Sequence, residues 1–358
     1  MCNMQTGENQ CFAGKIKWIE VLRVIATIFV VVNHVVITAI HYFEKTASQW
    51  DFFAYNGINH FARFAVPCFL MITGYLLLNP ERKLDYDKVL SKYVWRMVVI
   101  LLTVGTVFAM MELFFDTKTV EIFTLFHALW NVIIGKTWDH MWYLYSLIGL
   151  YLVCPIIKPA FNSLDTKTID IFLSIGFVFC CIFQTLNRMT GFEIGVKYPL
   201  LSEFLFYFLL GGRLFRMKEG ALTAGWWLFI AFVFGLFQFG VSFLEYYIGY
   251  TQGEWLKDYA SPFMALYSLF VFLWVMKSKY FPILSYRMGG VLMRLLSDNS
   301  FGIYVFHMLW INVIYKVLKF NPICVGLWTV PLLIIIVTAL SLITTIVFRK
   351  IPYVGKYI

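Results

Sequence analysis

Three ionisable residues interrupt the first long apolar run of this chain: Glu20, Arg23 and His34. Such groups cost about 2.5–3.5 kcal/mol each at the centre of a lipid-embedded helix, so each one asks for a function. Glu20 and Arg23 are three positions apart, on one helical face, where an ion pair can form. Arg23 and His34 are eleven positions apart, close to three turns, so they share that face at roughly 16 Å along the axis. One stripe would then run from an ion pair to an imidazole. A guanidinium suits phosphate recognition, and a neutral imidazole in a desolvated pocket can act as a general base. The plainer readings are snorkelling of Glu20 and Arg23 at an interface and a packing role for His34. Asn33 and His34 break the run IATIFVVVNHVVI at one point, which favours chemistry at His34.

Other polar groups recur in later runs. The second carries Asn59, His60 and Arg63 ahead of Pro67 and Thr73-Gly74, which allow bending and close helix approach. Arg63 either faces the same cavity as His34 or anchors an interface. Asp139 and His140 precede Trp142 at the start of the fourth run, and Tyr304 and His307 lie within the ninth. The six histidines all fall toward one predicted side, the outer one. No pair has the i, i+4 spacing of a helical metal motif and no acidic cluster accompanies them, which argues against a metal.

The elements that must position these residues follow from composition. Of 358 residues, 61% are hydrophobic and 14% charged, whereas a soluble domain carries about 25% charged residues. The surplus apolar surface requires lipid. The expected fold is an all-α polytopic membrane protein, a single domain over 1–358. Its apolar segments lie at about 18–40, 57–79, 91–114, 141–158, 168–186, 200–216, 223–245, 259–277, 297–318 and 325–348, ten transmembrane helices in all. The stretch 121–135 is shorter and carries Glu121, His127 and Asn131, so it reads as interfacial or re-entrant. With ten spans the Lys and Arg residues gather on the side of both termini, among them Lys17, Lys92, Arg96, Arg213 and Lys350, which predicts both termini in the cytoplasm. An eleventh span at 121–135 would spoil that asymmetry.

The net charge of +9 comes with no basic tract, so no nucleic-acid partner is expected. The seven cysteines show no metal spacing and read as small hydrophobes. The first apolar run is too long for a cleavable signal peptide. No inverted sequence repeat of the transporter kind is visible.

The same positions resemble the acyltransferase-3 family of bacterial integral membrane acyltransferases, from about Lys17 to Ile358. The family's first-span signature, an Arg, ten residues and a His, matches Arg23 and His34 in WIEVLRVIATIFVVVNH, with Glu20 as the usual acidic residue before it. RFAVPCFLMITGYLL, HMWYLYSLIGLYLVCP, SFGIYVFHMLW and RKIPYVGKYI resemble its later elements in order. In detail the chain is most similar to the branch containing the enterobacterial common antigen O-acetyltransferase. It departs at KYVWR, where the family's Arg-x-x-Arg pair is Lys92 and Arg96 with Tyr93 in place of the first Arg. Lysine cannot reproduce the guanidinium fork, so the phosphate geometry there differs.

The resemblance implies an acyl-CoA donor, most often acetyl-CoA, and transfer to a hydroxyl of a cell-envelope carbohydrate or lipid-linked glycan in the bacterial plasma membrane. Arg23, Lys92 and Arg96 would hold the CoA phosphates. His34 would take the acceptor's proton, directly or through an acyl-histidine, while Glu20 orients Arg23. Arg63, His140, Trp142, Tyr304, His307 and Asn33 would bind the acceptor or the oxyanion. The competing readings are a transporter or flippase that uses Glu20, Arg23 and His34 as a relay, and a membrane-embedded sensor or scaffold.

Overall fold

A computed structural model describes residues 4–119, 123–191, 202–217, 222–248, 254–278 and 289–358. All the regular secondary structure among these residues is helical, as an apolar chain must be if every backbone N–H and C=O is to be satisfied within its own segment. Eight helical runs are long and apolar enough to cross a bilayer. The protein is an all-α polytopic membrane protein.

The main helices are α1 (Met4–Phe43), α2 (Gln49–Ala62), α3 (Ala65–Leu77), α4 (Tyr86–Phe115), α5 (Thr124–Ile133), α6 (Trp142–Ser163), α7 (Thr166–Thr190), α8 (Glu203–Phe215), α9 (Ala224–Ile248), α10 (Pro262–Lys277), α11 (Ser300–Val317) and α12 (Thr329–Phe348). Two of the ten expected spans are shorter than the rest. The segment expected at 200–216 is α8, 13 residues beginning after the Ser202 cap, and that at 259–277 is α10, 16 residues started by Pro262. At 1.5 Å per residue they reach only about 20 and 24 Å. The stretch 121–135 contributes α5, whose 10 residues cannot span; residues 120–122, with Glu121, lie outside the described residues. Phe126, Trp130 and Ile133 are exposed along one side of α5, as suits a helix lying at an interface.

Helix α1 runs through the middle of the bundle against α2, α3, α11 and α12. Its small β-branched residues Val31, Val35 and Val36 are fully buried, with Ala26 and Ala39. A charged residue on α1 therefore has protein neighbours rather than lipid. The α3–α8 contact is tighter still. A Cβ on Gly74 would collide with the Phe208 carbonyl oxygen, and one on Gly211 with that of Met71. The two backbones meet through reciprocal glycines, the small-residue packing that replaces hydrophobic driving force within lipid.

Two departures from regular helix matter for function. The second span breaks at Arg63 and Phe64, between α2 and α3. Pro67 has no N–H to give to the Arg63 carbonyl four residues back, so the ladder fails there. Helix α4 contains two wider, π-helical stretches, Val89–Val94 and Leu101–Gly105; such turns re-aim the side chains that follow them.

Candidate active site

A cavity of about 1790 Å³ opens within the bundle. Its wall is built from the C-terminal half of α1, the break between α2 and α3, the segment 135–143, the end of α7, residues 257–259 and α11. Pockets of about 300–1,000 Å³ hold drug-sized ligands, so this one admits something larger.

The break in the second span is what brings Arg63 to this wall. Its guanidinium stacks on the Tyr259 ring, 4.9 Å from the centroid, and lies within electrostatic reach of His34. No carboxylate pairs with it among the described residues, and its Nε is buried without a partner. The other basic side chains on the rim differ. Lys316 Nζ contacts both Glu112 oxygens at 2.9 Å, and Glu112 also accepts from the Trp138 indole at 2.9 Å. Arg188 pairs with Asp258 at 2.5 Å.

Three imidazoles converge beside Arg63. The His34 ring centroid is 5.0 Å from that of His307 and 6.3 Å from that of His140, and the last two are 5.0 Å apart. His34 lines the cavity and is half-buried, whereas His307 lies behind the wall, fully buried. Backbone carbonyls of α11 hold two of the rings. His307 Nδ1 meets Tyr304 O at 2.6 Å and His140 Nε2 meets Val305 O at 3.1 Å. The Tyr304 hydroxyl donates back to the His140 carbonyl. Next to His34, the Asn33 side-chain oxygen accepts from Asn59 Nδ2 at 2.7 Å, which leaves the Asn33 amide N–H groups for the cavity. Trp142 lines the far wall, stacked on Phe204 at 5.2 Å. Among the described residues no three His, Cys, Asp or Glu side chains are placed to hold a metal ion.

The structure thus brings His34, Asn33, Arg63, His140, Trp142 and Tyr304 to one cavity, with His307 directly behind them. It does not bring Glu20, Arg23, Lys92 or Arg96 there. These lie toward the opposite end of the bundle. Arg23 is half-buried and within electrostatic reach of Glu20, Asp298 and Tyr151. No direct ion pair joins it to Glu20 among the described residues. Arg96 stacks on Phe301 at 4.3 Å and donates to Tyr357 O at 2.7 Å and Ile358 O at 2.9 Å. Lys92 is exposed. Where the sequence has Tyr93 in place of an arginine, Arg82 reaches across. Its guanidinium donates to the Tyr93 hydroxyl and lies over the ring at 5.7 Å. The nearby Lys158 donates to the carbonyls of Leu77, Asn79 and Arg82, closing the end of α3.

Tyr259, Trp138 and the Glu112–Lys316 pair are cavity residues that sequence reasoning missed. Glu112 could have been found by the criterion that marks His34, a polar group within an apolar run. Tyr259 carries no such signal, because only its approach to Arg63 gives it a role.

An all-helical bundle of membrane-spanning length around a histidine-lined cavity defines the class as an integral membrane protein with a polar internal site. The Acyltransferase domain model, Acyl_transf_3, matches residues 16–350, and the chain belongs to that acyltransferase family. Neither a curated protein nor a solved structure matches the chain significantly. The protein is a multi-pass membrane acyltransferase.

Proposed function

We propose that the protein is an acyl-CoA-dependent O-acyltransferase of a bacterial plasma membrane, moving an acyl group, acetyl in the first instance, onto a hydroxyl of a cell-envelope carbohydrate. The observation that carries this reading is His34, on the wall of a cavity large enough for a glycan and flanked by an unpaired guanidinium and an amide donor. The acceptor hydroxyl gives its proton to His34 as its oxygen attacks the thioester carbonyl. Arg63 and the Asn33 amide stabilise the oxyanion that forms. When the C–S bond breaks, His34 returns the proton to the leaving thiolate, giving CoA thiol and the ester. Trp142 and Tyr259 offer aromatic faces to the sugar rings, and His140 and Tyr304 line the inner wall beside the acceptor.

The donor's phosphates belong at the other end, where Arg23, Lys92 and Arg96 lie, joined by Arg82. The pantetheine arm then follows the α1 stripe from Arg23 toward His34, a rise of roughly 16 Å. The sequence's resemblance to the branch that acetylates enterobacterial common antigen favours a lipid-linked or polymeric amino-sugar glycan as acceptor.

The test is direct. Purified protein in proteoliposomes, given acetyl-CoA and envelope glycan, should release free CoA and add one acetyl mass to the glycan. His34→Ala should stop both. Full transfer by that variant would end the assignment of His34 as base.

A further inference from the structure

The hydrogen bonds around the three histidines carry information about protons. A backbone carbonyl can only accept, so His307 must carry its proton on Nδ1 to meet Tyr304 O at 2.6 Å. In the neutral ring this leaves a bare lone pair on Nε2, which is buried and has no partner. His140 is held in the opposite tautomer. It donates from Nε2 to Val305 O at 3.1 Å, and its Nδ1 is the buried nitrogen without a partner. Both carbonyls belong to α11, so one rigid helix fixes both rings. His34 has no such tether, and its ring lies on the cavity wall with the His307 imidazole behind it. A buried acceptor nitrogen left unpaired costs about 1–3 kcal/mol. At a 5.0 Å centroid separation, a small rotation of His34 is enough to offer one N–H to that lone pair.

We propose that His307 is the positioning residue of His34 and the transient holder of its second proton. The inference rests on His34 being the general base. With one His34 nitrogen donating to His307 Nε2, the other presents its lone pair to the acceptor hydroxyl. As the hydroxyl proton moves to His34, the proton on the far side of that ring moves to His307 Nε2. The positive charge is then held behind the wall, with Nδ1–H still on Tyr304 O. Both protons shift back when the tetrahedral intermediate collapses, and the first ends on the departing thiolate, so no proton is gained or lost. The groups facing His307 are His34 from α1, His140 and Tyr304, with Arg63 beyond His34. None is an acid, so the relay has no carboxylate to take the place of an imidazole.

Two measurements test this. In full-length protein labelled with ¹⁵N-histidine, the His307 signals (assigned by their loss in His307→Gln) should report protonated Nδ1 and bare Nε2 without any substrate. The reverse tautomer overturns the proposal, whatever the reaction proves to be. In acetyl transfer, His307→Gln retains an acceptor for His34 but cannot take up a proton. It should lower kcat by about 100-fold while KM for acetyl-CoA stays within about twofold, and the wild type's curved dependence of rate on D2O fraction should become linear. A Gln variant with kcat within about threefold of wild type overturns it, as does one that keeps the curvature. His307→Asn, which preserves the bond to Tyr304 O, serves in the same assay should the Gln variant melt early. Loss of activity in His307→Gln alongside a fully active His34→Ala would instead refute His34 as base.

Discussion

The two ends of α1 treat their ionisable groups in opposite ways. Around His34, Arg63 Nε, His140 Nδ1 and His307 Nε2 are buried without hydrogen-bond partners. Around Arg23 the basic groups are mostly engaged: Arg96 by the carbonyls of Tyr357 and Ile358, Lys158 by the end of α3, and Arg82 by Tyr93. Arg23 is the exception, with no hydrogen bond to its guanidinium among the described residues. Unsatisfied buried polar groups are expensive and persist where a ligand completes them. This fits the proposed reading, in which the histidine end carries the chemistry. At the arginine end, the proposed donor phosphate would fall to Arg23 rather than Arg96, whose guanidinium is already held by two carbonyls.

That contrast can be broken by mutation. The largest expected effect is at His34: replacement by Ala or Gln should lower acetyl transfer by two to four orders of magnitude, roughly 10²–10⁴-fold, measured as free-CoA release, with the protein still folded. A small loss there would move the chemistry away from the cavity. Next, Arg23→Gln should raise KM for acetyl-CoA by about tenfold or more, the worth of one hydrogen bond to a charged group. Arg96→Gln should change that KM less and lower the melting temperature more, because it unties the last residues of the chain. If the order is reversed, the phosphate site is built on Arg96 and its backbone partners are displaced on binding.

Smaller effects sharpen the structural side. Gly211→Val should destabilise the detergent-solubilised protein by about 1–3 kcal/mol through overpacking at the α3–α8 crossing, read from thermal unfolding. Retained stability would mean that the two backbones do not meet there. Smallest is the rim pair. Lys316→Met should lower stability by no more than about 1 kcal/mol, since Glu112 remains partly solvated. Adding Glu112→Gln should recover part of that loss, and a double-mutant cycle checks it.

The long apolar runs were legible because lipid imposes a length and a composition on each span. Eight of the ten expected segments are full-length helices, and 121–135 yields a helix too short to cross. The shortness of α8 and α10 was not legible. Both sit beside α3, and for α8 close backbone packing supplies what hydrophobic length does elsewhere. Helical register put Glu20, Arg23 and His34 on one face of α1, but register cannot say which neighbours meet that face. The expected Glu20–Arg23 ion pair is not made as a direct contact.

By itself the sequence determined the class of the fold, the chain's family through the order of its motifs, and the presence of a polar His34 on a helix otherwise built to be buried. Those are local properties, carried by composition, spacing and residue type along one strand of chain. Only the tertiary structure decided that His34, His140 and His307 form one cluster, that Pro67 turns Arg63 into the same cavity, and that Arg96 is already occupied. Each of these joins residues from separate helices, more than thirty positions apart in all but the Pro67 break. Contacts of that kind depend on how the helices cross and on which backbone carbonyls they present, and no periodicity within a single segment encodes them.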